Sequence, residues 1–106
     1  MTDKKRPGLY DRLAAKYPEF INSVEAMGST AKELGPLDEK SAQLIQLAAA
    51  ASIRSEGAVH SHTRRAVEAG ASAAEIHHAL LLLVSTIGFP SVMAALSWAD
   101  DILDPV

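Results

Sequence analysis

The chain has 106 residues, no cysteine, and 10 Lys and Arg against 13 Asp and Glu, for a net charge of -3. That length suits a single domain covering the whole chain, and without cysteine it has no disulfides, thiolate metal ligands or redox thiols. Aromatics are scarce, and basic residues are scattered apart from Lys4-Lys5-Arg6 and Arg64-Arg65, so nucleic acid is not an expected partner.

Met1 to Gly8 is basic but has no apolar run behind it, unlike a secretory signal. The longest unbroken apolar run, Ala79 to Val84, is far too short to span a bilayer. A cytoplasmic protein with no membrane partner is therefore expected. Alanine, leucine and isoleucine dominate, β-branched runs are absent and turn signals recur about every fifteen residues, which predicts an all-α fold of about six helices.

In chain order, a short helix is expected from Leu9 to Lys16. Pro18 suits the first turn of a second, through Phe20, Ile21, Val24 and Met27, and Gly35-Pro36 closes that region. Asp38 is a good N-cap for a third helix from Glu39 to about Ile53, with Leu44, Ile45, Leu47, Ala48 and Ala51 at helical spacing. A fourth helix carries Glu56-Gly57-Ala58-Val59-His60-Ser61-His62-Thr63-Arg64-Arg65-Ala66 and stops at Gly70. Ser72-Ala73-Ala74-Glu75 is a capping box for a fifth, expected to continue through Ile87 with apolar residues nearly all round. A helix apolar on every side needs neighbours on every side, so self-association is expected. Gly88 breaks the chain, and a last helix starting near Pro90 carries Val92, Met93, Leu96, Trp98 and Ile102.

The fourth helix holds the densest cluster of reactive side chains. His62 shares a sector with Ser55, Ala58, Val59, Ala66 and Ala69, the side that must face a core. Glu56, His60 and Arg64 repeat every four residues on a separate stripe, and Ser61, Arg65 and Glu68 form the wet face. Glu56 is the natural group to orient an imidazole, yet on a continuous helix its spacing aims it at His60. Partnership with His62 requires a helix starting after Glu56, or a neighbouring subunit.

Leu37-Asp38-Glu39-Lys40, the Leu44 to Ala51 helix, His62 with Arg64 and Ala66, Gly70-Ala71-Ser72, Glu75-Ile76 and Gly88-Phe89-Pro90 together resemble the carboxymuconolactone decarboxylase family. The resemblance runs from about Leu37 to Ile102 and implies an alkylhydroperoxidase D-like helical bundle that assembles as a homotrimer or homohexamer. The peroxidase branch resembles Cys-x-x-Cys, three residues, then His; aligned on His62, its cysteines fall at Ser55 and Ala58 and its relay glutamate near Gln43. Both thiols are missing, which disfavours peroxide reduction by disulfide cycling, and Ser55 and Gln43 read as relics of the family architecture. The decarboxylase branch is similar in its Glu-Gly pair, four residues, then His and a nearby Arg, matched by Glu56, Gly57, His62 and Arg64. Its Gly-x-Pro turn matches Gly88 and Pro90. Its longer N-terminal region is not matched, and a further histidine falls at Ser97.

The resemblance implies cofactor-independent acid/base chemistry on a small anionic molecule. His62 and Glu56 are the catalytic candidates, and Arg64, Arg65 and His60 the substrate-binding ones. Against this stand plainer readings: His62 as a hydrogen-bonded core histidine, Glu56, His60 and Arg64 as a surface salt-bridge row, and Arg65 as a solvated charge. A non-catalytic ligand-binding or structural oligomer is the alternative function. No metal is expected, because neither His60 with His62 nor His77 with His78 has the i, i+4 spacing of a shared helical face.

Overall fold

The structure is a computed structural model that describes residues 8–103. It is all-α, with no strand among the described residues: α1 (Leu9–Lys16), α2 (Pro18–Glu33), α3 (Glu39–Ser52), α4 (Glu56–Glu68), α5 (Ala73–Leu81), α6 (Val84–Ile87) and α7 (Phe89–Asp100). The segments α5 and α6 occupy the span expected as one helix; with that span counted once, the described residues form the expected six helices, one of them interrupted.

Two compact units divide at Pro36 and Leu37. In the first, Pro18 sits in the opening turn of α2, the Tyr10 hydroxyl donates to the Glu25 carboxylate, and Ile21 is buried. Phe20, Val24 and Met27 are exposed.

The second unit contains the core, built from Leu47, Ala50 and Ala51 of α3, Val59 and Ala66 of α4, Ile76 and Leu80 of α5, and Ala95 and Ala99 of α7, with Ala71 from a turn. Alanine at so many of these positions lets helix backbones approach closely while giving each crossing little volume to spare. Asp38 caps α3, accepting from the Ser41 N–H at 2.8 Å. Ser72 and Glu75 form the capping box at the start of α5. Lys40 reaches across from α3 to the Glu75 carboxylate at 3.1 Å.

Both capping carboxylates are held below their ordinary pKa. For Asp38 the Ser41 side chain is the main cause, followed by the Ser41 N–H. For Glu75 it is the Ser72 N–H, followed by Lys40.

The expected continuous helix through Ile87 gives way at Leu82 and Leu83. There the ladder tightens, with the Leu83 N–H bonded to the Leu80 carbonyl at 3.1 Å and the Thr86 N–H to the Leu83 carbonyl at 2.9 Å. No glycine or proline marks the break. The Thr86 hydroxyl also donates to the Leu83 carbonyl, which accepts the Ile87 N–H as well at 2.9 Å, so the helical ladder resumes there as α6. Leu80 is fully buried and Leu83 packs on the core, whereas Leu81, Leu82 and Val84 are exposed.

Candidate functional site

The site is set by how the chain leaves α3 and enters α4. The Ser55 N–H bonds to the Ala50 carbonyl and the Arg54 N–H to the Ala51 carbonyl, both at 3.0 Å. This is a Schellman turn with Arg54 in the left-handed position, at φ 56°. The Arg54 guanidinium donates to the Ser91 hydroxyl of α7 at 2.7 Å. Ser55 then becomes the N-cap of α4, accepting from the Ala58 N–H at 3.3 Å, and Glu56 is the first helical residue.

That start settles the direction of Glu56. Its carboxylate lies 4.0 Å from His60 Nε2, in the i, i+4 relation, so Glu56 is grouped with His60 and does not orient His62. His60 Nε2 is also 2.8 Å from Asp101 Oδ2, beyond the end of α7. Donor atoms of Glu56, His60 and Asp101 all lie within 4.8 Å of one another, so by geometry these residues could hold a divalent cation. The Glu56 and Asp101 side chains are 58% and 56% exposed, however, and His60 already has Asp101 as a partner, which matches a solvated ion-pair cluster equally well. His77 makes a similar pair with Asp100 at 2.8 Å, and His78 is exposed.

His62 faces inward, as its sector implied. Its Nδ1 lies 2.9 Å from Oε1 of Gln43, which is fully buried, and the Gln43 amide donates to Glu39 Oε2 at 2.8 Å. Beside it, Thr63 is fully buried, and its hydroxyl has no hydrogen-bond partner among the described residues. Arg64 and Glu68 border a cavity of about 450 Å³ whose apolar walls are Val67, Ala71, Ala73, Ile102 and Leu103. His62 is not among its lining residues. Arg65 is exposed on the outer face.

The chain matches the carboxymuconolactone decarboxylase family over residues 18–101. It belongs to that family. An uncharacterized protein of Haemophilus influenzae is 37% identical over 57 residues, which make up 54% of this chain and 50% of that protein. The matched stretch thus spans only about half the length of that relative. No solved structure matches.

In this carboxymuconolactone decarboxylase family member, the two positions aligned with the peroxidase cysteines are joined as a helix cap, with the Ala58 N–H bonded to the Ser55 hydroxyl. The Gln43 side chain, at the relay-glutamate position, is the partner of the histidine and no mere relic. Its link to Glu39 was open to sequence reasoning, since the two are four residues apart on one helix. Asp101 had no comparable signal, lying 41 residues from its partner. The imidazole, fixed by a buried amide, can exchange a proton, and Arg64 can hold a carboxylate at the cavity rim.

Proposed function

We propose that this protein carries out cofactor-independent proton transfer on a small anionic substrate. The reaction is decarboxylation of a lactone acid of the carboxymuconolactone type, or a related lyase reaction. The observation that supports this reading is the inward-facing His62, held through Nδ1 by the fully buried Gln43. Loss of carbon dioxide breaks a carbon–carbon bond and leaves its electron pair in a dienolate. His62 supplies the proton that this pair takes up at carbon, and Arg64 holds a remaining carboxylate. Arg65 contributes long-range positive charge, His60 adds a hydrogen-bonding group for the substrate, and Glu56 acts on His60. The working form is a cytoplasmic homotrimer or homohexamer, and exposed Leu81, Leu82, Val84, Phe89 and Met93 support the self-association in that reading.

The test is the ultraviolet change of carboxymuconolactone mixed with the purified protein, beside His62→Ala checked for native assembly by light scattering. Turnover in the wild type is expected. A general acid is worth about a hundredfold to ten-thousandfold, so His62→Ala should cost roughly 3 to 5 kcal/mol of transition-state stabilisation. Equal turnover by both proteins, or none by either, would overturn the decarboxylase reading.

The second reading, a ligand-binding oligomer without catalysis, is favoured by the cavity itself. It has Arg64 beside Glu68 at its border and apolar walls, but no His62 in its lining. In that case carboxylates bind the wild type and Arg64→Ala loses them, while His62→Ala leaves binding unchanged.

A further inference from the structure

We infer that Glu39 and Gln43 are positioning residues that lock a proton on Nδ1 of His62 and so make Nε2 the nitrogen through which the ring exchanges protons. The tautomer follows from hydrogen-bond chemistry alone; its catalytic meaning rests on the function proposed above.

The argument starts at Glu39, the first residue of α3. An ionised carboxylate only accepts hydrogen bonds, and the Glu39 Oε2 to Gln43 contact is 2.8 Å. A carboxamide can be turned either way in principle, and its hydrogen-bond network decides between the two orientations. With the carbonyl facing Glu39, two acceptors would meet; the amide NH2 must therefore face the carboxylate. That turns the Gln43 carbonyl toward His62, where Oε1 lies 2.9 Å from Nδ1. A carbonyl needs a donor, so Nδ1 carries hydrogen in both the neutral and the protonated ring. Gln43 is completely buried, so water cannot readily substitute for either partner, and a reversed amide would leave two buried mismatches. Glu39 is exposed and charged, yet through one amide it dictates the tautomer of an inward-facing imidazole.

Proton delivery then runs in one direction. The imidazolium gives its Nε2 proton to the carbanionic carbon, the dienolate electron pair forms the new C–H bond, and the former N–H pair stays on Nε2. The neutral ring that remains keeps its Nδ1–H on Gln43, so no rotation or amide flip is needed before the next turnover. The relay position carries glutamine here, and an amide passes no proton onward; its part is orientation, with the acceptor set by Glu39.

The experiment is a long-range 1H–15N correlation spectrum of the uniformly labelled full chain at mildly alkaline pH, without substrate. His62 is identified by the signals missing from His62→Gln. The wild type should show the Nδ1–H pattern. Glu39→Gln, at an exposed position next to the separate Asp38 cap, removes the acceptor-only partner and should give comparable amounts of both tautomers with the helical circular dichroism unchanged. Glu39→Asp should restore the Nδ1–H pattern at least in part. An Nε2–H pattern in the wild type overturns the inference, as does an Nδ1–H pattern unmoved in Glu39→Gln. If the lyase reading also holds, Glu39→Gln should lower kcat by about tenfold to a hundredfold with KM little changed. A shifted tautomer in a protein that never turns over carboxymuconolactone would sink that reading and leave this one standing.

Discussion

The turns at the two ends of α4 are built on the same plan from different residues. Entering α4, the Ser55 and Arg54 N–H groups bond back to Ala50 and Ala51; leaving it, those of Ala71 and Gly70 bond back to Ala66 and Val67. Each turn is a Schellman motif, and each leads to a serine N-cap, Ser55 or Ser72. The left-handed residue is where they part. Gly70 sits at φ 99°, outside the small left-handed well open to L-residues, whereas Arg54 sits at φ 56°, inside it. One turn requires glycine; the other tolerates a side chain and uses it, tying the turn to Ser91 on α7. A helix end without glycine can be as sharply defined as one with it.

The largest effect should come from breaking the glycine turn. Gly70→Val puts a β-branched residue at φ 99°, and thermal or urea unfolding should show a loss of about 1 to 3 kcal/mol. The serine caps come next: Ser55→Ala and Ser72→Ala should each cost about 1 kcal/mol. Ser72→Ala should cost more, because the bond it loses is shorter, 3.0 Å from the Glu75 N–H against 3.3 Å from the Ala58 N–H to Ser55.

Acid should separate the two turns as well. The folded pKa of Glu75 lies below its ordinary value, so its contribution is fully present above that ordinary value and is lost as pH falls through the lowered one. Asp38 at the start of α3 behaves alike. Hydrogen exchange under acid should loosen the starts of α3 and α5 before the hydroxyl-capped start of α4. Uniform loosening of all three would count against carboxylate control.

The smallest effect is expected at Arg54→Gly. It relieves roughly 1 kcal/mol of left-handed strain, but glycine adds about 0.5 to 1 kcal/mol of chain entropy and the bond to Ser91 is lost. Stability should move by less than about 1 kcal/mol, and a larger loss would show that the tether to α7 dominates.

The same contrast explains what could be read in the sequence. Glycine, proline, serine and aspartate carry their turn and capping chemistry in their own covalent structure, so the starts at Leu9, Pro18, Glu39 and Ala73 and the stop before Gly70 were legible. Arg54 announces nothing, so the start of α4, and with it the partner of Glu56, waited for the structure. The break after Leu81 was hidden for a related reason, since leucines favour helix and no glycine or proline stands at that point. In the site, the inward sector of His62 followed from periodicity. Its partner Gln43 and the His60 to Asp101 contact join segments far apart in the chain, and no local pattern encodes them.

The alanines of the core carry a calorimetric consequence. Ala50, Ala51, Ala66, Ala71, Ala95 and Ala99 fill positions where a typical domain places leucine or valine, so folding withdraws less hydrocarbon from water per residue. The heat-capacity increment of unfolding should therefore fall below the usual value of about 12 to 15 cal/mol/K per residue. A small increment flattens the stability curve, and such a chain gives up less of its stability on cooling than a leucine-rich bundle of equal length.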